Sequence, residues 1–414
     1  MAAALLRLNR RTFASLRHRN YRLFFAGQVV SVSGTWMQNI AMAWLVLELT
    51  GSPVAVGILA LCQFLPFTVF GLFAGTVVDR LDPRRIVIGT QAAAMVLASV
   101  LAAVVLLGDA TVGLVYVLAA LRGVVLVLDA PARQALTYQM VGPAQLPNAV
   151  ALNSSLFNGA RVVGPALGGL LVAVAGAGFC FAVNAVSFLA VLAGLLVMRV
   201  DELTPLKRPA TPLRIVGGSR EALRYVRSSR PVRLVLGLVL VVSTFAFNFN
   251  VLLPVLAKET LDAGPEVFGT ITACFGAGAL AGALTSAALG RASLRTLLVG
   301  TGLYGLAELS LAPMQSIAVV GLLLFGTGFA FTLWTSNANS SLQLAAPDHL
   351  RGRVLGLYFY AFNGAAPLGG LVAGWLAATG GTELAFAFAG AVTVAASALA
   401  FLRLHEGGLA TPTA

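Results

Sequence analysis

The sequence predicts an all-α integral membrane protein with twelve transmembrane helices, arranged as two pseudo-symmetric six-helix bundles. Of its 414 residues, 58% are hydrophobic and only 10% are charged, and the mean hydropathy is +0.90. This composition excludes a water-soluble globule. Apolar runs recur along the chain, each near the length of about 20 residues that a membrane helix needs. One long polar stretch near the middle separates these runs into two sets.

The apolar runs end at charges and at Gly, Pro and Asp turns, and these breaks define the predicted helices in order. Six runs precede the polar stretch, near residues 21–49, 54–78, 86–107, 112–139, 148–175 and 179–199. Six follow it, near residues 232–257, 266–289, 294–312, 316–343, 354–378 and 383–403. The predicted domains are a basic tail (1–20), an N-terminal six-helix bundle (21–199), a linker (200–231), a C-terminal six-helix bundle (232–403) and a second tail (404–414).

The distribution of Lys and Arg predicts the orientation, because basic residues collect in cytoplasmic loops. With the N-terminus inside, Lys258 lies on the outer side and Arg122, Arg133 and Arg161 fall within spans. Every other Lys and Arg lies in or next to a tail or loop on the inner side. The tail 1–20 is too polar to be the apolar core of a cleaved signal peptide. We therefore expect a multi-pass membrane protein with both termini in the cytoplasm.

The net charge of +12 follows from these loops, so we predict a lipid bilayer and no nucleic acid as the partner of the basic surface. Cys62, Cys180 and Cys274 stand singly in apolar runs, without the paired spacing of a metal or redox site. No histidine pair has metal spacing, and no Gly-rich phosphate loop is present. We therefore expect no cofactor, no metal and no enzymatic activity.

Two short and weak internal repeats indicate that the two halves of the chain are related. The tetrapeptide that begins at Phe157 recurs at Phe362, and each copy is followed by Pro and Gly-Gly. These copies lie in the fifth and eleventh segments. Separately, the pair Arg80 and Arg84 recurs between segments eight and nine. In both repeats the matching segments are six helices apart, as expected for a transporter built from two six-helix repeats.

The turn between segments two and three reads Gly75-Thr-Val-Val-Asp79-Arg80-Leu-Asp82-Pro-Arg84-Arg85. It resembles the signature of the major facilitator superfamily, Gly-x-x-x-Asp-Arg-x-Gly-Arg-Arg/Lys, with Asp82 and Pro83 in place of Gly and Arg. The stretches 19–24 (RNYRLF), 49–53 (LTGSP), 131–135 (PARQA) and 147–153 (PNAVALN) resemble the enterobactin-exporter-like, or transmembrane secretion effector, subgroup.

The resemblance implies the major facilitator fold, a location in the bacterial cytoplasmic (inner) membrane and a role for this turn. In that superfamily the turn holds the two halves together on the cytoplasmic side while the carrier faces outward. The implied latch residues are Gly75, Asp79, Arg80 and Arg84. The alternative is that the arginines only set the topology, and Arg85 fits that alternative best.

The fourth segment carries Arg122, Asp129 and Arg133 on one helical face. Ionisable residues within a span mark functional sites, and Arg122 lies roughly 15 Å from the external end. It either binds an anionic substrate group or modulates a proton-carrying carboxylate, or it forms a structural pair with Asp129 or a neighbouring helix. Asp129 is either a proton carrier or the acidic partner of the latch arginines, and we favour the latch. Glu308 and Glu48 are weaker coupling candidates, expected at the membrane interface.

The fifth segment places Asn158, Arg161 and Pro165 on one stripe, with Arg161 near mid-membrane. Gly164, Pro165, Gly168 and Gly169 resemble the core of the superfamily's fifth-helix antiporter motif, which favours export. The plain alternative is close helix packing by small residues.

In this superfamily helices one, four, seven and ten line the central cavity. Polar residues on these predicted helices and on the eleventh therefore suggest a cavity for a bulky amphipathic molecule, with Phe245, Phe249 and Trp334 nearby. Each polar residue serves equally well as a helix–helix hydrogen bond. The cavity candidates besides the charged groups are Gln28, Asn39, Asn158, Asn248, Asn337, Tyr358 and Asn363.

From these observations we predict a secondary active transporter that exports a small organic molecule, a siderophore or a drug-like compound, coupled to protons and using alternating access. The alternative is an uptake carrier or uniporter for a small organic solute. We expect a monomer. A non-transporting interaction protein is disfavoured because charged groups lie on the faces expected to line the cavity.

Overall fold

The computed structural model describes residues 13–205, 215–289 and 293–406, and in these ranges the chain forms helices and turns without strands. The ends of both predicted tails, at 1–12 and 407–414, lie outside the described residues. So does the part of the predicted linker at 206–214. The predicted all-helical architecture therefore holds over the described chain.

Six helical segments make up the N-terminal half. Three are α1 (Arg19–Thr50), α2 (Pro53–Arg80) and α3 (Pro83–Leu107). The run Val112–Leu196 has non-helical backbone at Gly142 and Gly176, and these kinks divide it into α4 (112–141), α5 (143–175) and α6 (177–196).

Local sequence explains where these helices stop and start. Gly51 ends α1 in the left-handed conformation, with φ 60°, and Pro53 then begins α2, where its missing N–H costs nothing. Asp82 caps α3 by accepting a hydrogen bond of 2.9 Å from the backbone N–H of Arg84. Gly142 has φ 69° and precedes Pro143, so a sharp turn separates α4 from α5.

The C-terminal half follows a helix that the sequence analysis did not predict within the linker, α7 (Ile215–Ser228). The run Ala366–Glu406 is interrupted at Gly380 and Gly381. The helices of this half are α8 (Arg230–Phe245), α9 (Phe249–Val255) with a following π-helical turn (Leu256–Thr260), α10 (Pro265–Leu289), α11 (Leu294–Leu311), α12 (Ile317–Ala345), α13 (Asp348–Gly364), α14 (366–379) and α15 (382–406).

Within the described residues, seven helices are long and apolar enough to cross a membrane. Two of the seven, Val112–Leu196 and Leu350–Arg403, contain the kinks described above and are longer than one crossing requires. The segments between kinks correspond in order to the predicted runs, with α8 and α9 together matching the seventh run and α13 and α14 together matching the eleventh. Twelve crossings remain the prediction for the whole chain.

The two halves pack closely along two seams, α5 against α10 and α2 against α14. A Cβ atom added at Gly169 would lie 2.8 Å from the Cα of Gly269, and one at Gly374 would lie 2.8 Å from the carbonyl oxygen of Pro53. Such backbone approach is what small residues permit between membrane helices. Both seams are tight near the end of the bundle that contains Lys258, which we call the Lys258 end.

Side chains also join the halves at the Lys258 end. The Lys258 ammonium donates to the carbonyl oxygen of Leu47 at 3.2 Å and lies 5.9 Å from the ring centroid of Trp44. Trp44 stacks on Phe268, with ring centroids 6.1 Å apart. At the opposite end, the Arg84 end, an open polar cavity of about 350 Å³ lies beside α12 and α13. The residues that line this cavity all belong to the C-terminal half.

Candidate functional site

Arg161 occupies a cluster of aromatic rings where the two halves meet. Its guanidinium carbon lies 5.4 Å from the ring centroid of Trp36, 5.8 Å from Phe247, 5.4 Å from Phe275 and 5.5 Å from Phe331. Each distance is within the range of a cation–π interaction, which is worth about 2 kcal/mol or more when desolvated. These four rings and Arg161 are called the Arg161 ring cluster.

The elements that supply the rings place this cluster between the halves. Arg161 is on α5 and Trp36 on α1, both in the N-terminal half, whereas Phe275 is on α10 and Phe331 on α12. Phe247 lies in the break between α8 and α9 and stacks on Phe331 with centroids 4.5 Å apart. A substrate that binds here contacts both halves.

Sequence reasoning found Arg161 but missed these four rings. It named Phe245, Phe249 and Trp334 instead, and the structure places Phe249 and Trp334 in the buried interior of the C-terminal half. Trp334 stacks on Tyr304 rather than facing Arg161. An available signal was that Trp36 and Phe331 also lie on predicted helices one and ten. The helical break that positions Phe247 has no comparable sequence signal.

Arg122 pairs with Asn39. The guanidinium of Arg122 donates to the Asn39 side-chain oxygen at 2.8 Å, which joins α4 to α1, and Arg122 is 8% exposed. The structure therefore brings these two predicted cavity residues together, and Asp129 has other partners. A buried guanidinium has five N–H donors, so Arg122 has donors left to bind an anionic or carbonyl group.

Asp129 is the centre of a buried polar network within the N-terminal half. Its carboxylate accepts from the Thr90 hydroxyl at 2.7 Å and from the Gln91 amide at 2.9 Å. Arg133, one turn further along α4, forms an ion pair with it and also donates to Gln28. In this state Asp129 is held by neighbours on α3 and α4, so a contact with the latch arginines stays a prediction for another state.

The predicted latch is only partly described. The side-chain environments of Gly75 and Asp79 lie outside the described part of the chain, and Arg80 is exposed. The guanidinium of Arg84 donates two hydrogen bonds, of 3.1 and 2.7 Å, to the carbonyl oxygen of Leu195. Leu195 is in the last turn of α6, where backbone carbonyls lack helical partners. Arg84 thus caps a helix of its own half.

The remaining polar candidates form hydrogen bonds within their own helix or with a neighbouring helix of the same half. The Tyr358 hydroxyl donates to the carbonyl oxygen of Thr335 at 3.4 Å and lines the open polar cavity with Thr335, Ser336, Asn339 and Ser340. Four asparagine amides donate to carbonyl oxygens one turn back on the same helix or helical break: Asn158, Asn248, Asn337 and Asn363.

The two weaker carboxylate candidates differ sharply. Glu48 is exposed and accepts from the Trp44 indole at 2.6 Å. Glu308 is 0% exposed and therefore lies inside the protein, whereas its expected position at the membrane interface stays a prediction. Its carboxyl group lies inside the C-terminal half because α12 and α15 cover that face of α11.

Comparison with known proteins gives one family over nearly the whole chain. The family model described as transmembrane secretion effector matches residues 10–409. The multidrug efflux pump Tap of Mycolicibacterium fortuitum is 30% identical, covering 86% of this chain and 88% of that protein. The staphyloferrin A transporter of Staphylococcus aureus is 25% identical over 90% of this chain and 93% of that protein. Macrolide efflux protein A of Streptococcus pyogenes is 23% identical, covering 85% and 89%.

Solved structures confirm the fold. A POT family transporter, in complex with 5-aminolevulinic acid, has a TM-score of 0.74 at 14% identity and covers 94% of this chain and 96% of that chain. A bacterial homologue of the human lysosomal transporter Spinster has a TM-score of 0.71 at 14% identity, covering 96% and 99%. The predicted fold class and family resemblance are therefore confirmed, as is the expectation of a transporter rather than an enzyme.

Proposed function

This chain belongs to the transmembrane secretion effector family of the major facilitator superfamily, and we propose that it exports a bulky, amphipathic organic molecule by proton-coupled alternating access. The observation that carries this proposal is the Arg161 ring cluster. It combines one cation with four aromatic rings drawn from both halves. A site shared by two halves that rock against each other is the arrangement that alternating access requires.

The chemistry of the cluster selects the substrate class. Aromatic faces bind apolar and ring-containing molecules, and the guanidinium binds a carboxylate, catecholate or carbonyl oxygen. Curated relatives include a multidrug efflux pump, a macrolide efflux protein and a transporter of the siderophore staphyloferrin A. We therefore propose that the substrate is a drug-like compound or a siderophore. Arg122 and the open polar cavity at Thr335 and Asn339 lie along its proposed route.

The packing of the halves supports the proposed cycle. The glycine seams and the Lys258 contacts join the halves at the Lys258 end. The open polar cavity lies toward the Arg84 end. With the predicted topology, we take this arrangement as the inward-open state of the proposed cycle. Substrate enters from the cytoplasm, the Arg84 end closes through the latch turn, and the seams at the Lys258 end separate to release the substrate outside.

The test is transport in proteoliposomes with an imposed proton gradient, acidic outside. The probes are ethidium, erythromycin and staphyloferrin A. We expect wild-type protein to move at least one probe toward the acidic side, with proton flow in the opposite direction. Transport that ignores the gradient would favour the uniporter. Movement of the probe in the same direction as the protons would favour uptake.

Arg161→Ala is expected to reduce transport about tenfold or more, because one desolvated cation–π or charge interaction is worth more than 1.4 kcal/mol. Arg161→Lys keeps the charge but loses the planar guanidinium, so it should recover part of the activity. The matched control is Arg224→Ala, which removes an exposed arginine of α7. Equal transport by Arg161→Ala and wild type would contradict the proposed site.

A further inference from the structure

Glu308 is a buried carboxyl group that the site described above leaves without a role. It is 0% exposed, and among the described residues no donor forms a hydrogen bond of acceptable geometry with either carboxyl oxygen. Asp129, by contrast, is paired with Arg133 and hydrogen-bonded to Thr90 and Gln91. An ionised carboxylate is strongly disfavoured in a buried position without a cation or donors. The environment of Glu308 in this state is therefore that of a neutral, protonated acid.

The elements packed against Glu308 provide no cation beside it. α11 packs against α12 and against the α14–α15 run. α12 contains no acidic or basic residue, and the ionisable residues of 366–406 lie at its Gly381 turn or its last turn: Glu383, Arg403, His405 and Glu406. On α11 itself, Arg295 lies at the opposite end of the helix, and Tyr304 lies one turn from Glu308.

Tyr304 links Glu308 to the Arg161 ring cluster. Tyr304 precedes Glu308 by one helical turn on α11, so it lies on the same face of the helix as Glu308. Its ring lies 5.9 Å, centroid to centroid, from Phe331, and Phe331 is one of the four rings around Arg161. Glu308, Tyr304, Phe331 and Arg161 therefore form a continuous chain of contacts from the C-terminal half to the proposed substrate site.

We infer that Glu308 is the proton-carrying group of this transporter and that Arg161 is the charge that responds to it. The inference rests on the proposed function and names the coupling residue within it. In one state a Glu308 oxygen binds a proton from water on the outer side. When a substrate replaces the Arg161 guanidinium against the aromatic rings, the guanidinium stabilises the Glu308 carboxylate. The O–H bond then breaks, its electron pair stays on the carboxylate, and the proton passes to water on the inner side.

The decisive experiment compares wild type with Glu308→Gln in proteoliposomes containing ethidium. Gln has nearly the same shape and cannot release a proton. We expect the variant to lose the stimulation of ethidium transport by an imposed pH gradient, while ethidium binding and ethidium–ethidium exchange stay within about twofold of wild type. The matched control is Glu383→Gln, which removes an exposed carboxylate near the Lys258 end and should respond to the gradient as wild type does.

A gradient response equal to wild type in Glu308→Gln would overturn the inference. Loss of exchange and gradient response together, with ethidium binding intact, would also overturn it, because Glu308 would then be needed for the conformational change itself. These outcomes differ from failure of the proposed function, in which wild-type protein shows neither exchange nor gradient-driven transport of any probe.

A second measurement covers the case in which Glu308→Gln does not fold. Glu308→Asp retains an acid but moves it by one methylene, so its pH profile of gradient-driven transport should shift relative to wild type. An infrared difference spectrum of wild-type protein on adding ethidium should also show loss of a protonated-carboxyl stretch. An unshifted pH profile together with no change in that band would contradict the role of Glu308.

Discussion

Arg122, which is buried, and Arg161, which is partly exposed, have different partners within one bundle. Arg122 has a hydrogen-bond partner in Asn39 on the adjacent helix. The contacts described for Arg161 are the faces of four rings. Ring faces are weaker partners than carboxylates and are easily exchanged for a ligand. At the residue scale, the difference favours Arg161 for substrate binding and Arg122 for holding α1 against α4.

The Asp129–Arg133 pair gives a prediction about stability at the same scale. Asp129→Asn leaves a buried arginine without its counter-charge, and breaking one member of such a pair costs about 3–5 kcal/mol. We expect a clear fall in the melting temperature of the purified protein. Arg133→Gln should behave similarly, whereas the double variant should recover part of the loss because no unpaired charge remains.

Thermal unfolding in detergent, followed by tryptophan fluorescence, measures these three variants against wild type. The exposed pair formed by Arg199 and Glu202 supplies the control, because surface ion pairs contribute only about 0–1 kcal/mol. Additive losses in the double variant would mean that Asp129 and Arg133 act independently.

At the scale of helices, glycines decide how the halves meet. Gly169 and Gly269 bring α5 and α10 into backbone contact, and Gly57 and Gly370 do the same for α2 and α14. At these glycines the facing surfaces of the two halves are flat, so the halves can separate without moving interlocked side chains. The antiporter-like motif contributes to the first seam through Pro165 and Gly169, whereas Gly168 packs against Met37 of α1. Its resemblance to an export motif and its role in packing are therefore compatible.

Gly269→Val tests the role of the seam. The added side chain cannot fit where a Cβ would lie 2.8 Å from the Cα of Gly169, so the variant should favour separation at the Lys258 end. Spin labels on α5 and α10 near that end should move apart in distance measurements. Gly326→Ala is the control, because a Cβ there meets nothing within 4 Å. An unchanged distance distribution in Gly269→Val would show that the seam does not govern closure.

At the scale of the whole molecule, the sidedness follows from the unequal distribution of charge. Lys258 lies at one end, and exposed arginines such as Arg80 and Arg85 lie at the other. The positive-inside rule therefore predicts that the Arg84 end faces the cytoplasm. The direction of the proposed transport cycle depends on this assignment.

Single cysteines test the orientation. In a background lacking Cys62, Cys180 and Cys274, Arg85→Cys should react with a membrane-impermeant maleimide in inverted vesicles and be protected in right-side-out vesicles. Asp262→Cys, on an exposed loop at the Lys258 end, should show the opposite pattern. The reverse result at both positions would place the Arg84 end outside and would turn the proposed exporter into an uptake carrier.

The sequence alone determined the fold class, the order of helical segments and the family, and it singled out Arg161 as a candidate site residue. Composition and apolar length are properties of the chain itself, and they suffice because a bilayer admits few architectures. The motif at Asp79 and Arg80 is also local, so its resemblance was visible without a structure.

Only the tertiary structure decided the environments of the charged groups. The burial of Glu308, the four rings around Arg161 and the bonding of Asp129 within its own half depend on which helices pack together. Neighbours distant in sequence set each of these environments: Phe275 and Phe331 for Arg161, and Thr90 for Asp129. The cost of burying a charge depends on such partners, and the chain order of residues does not contain that information.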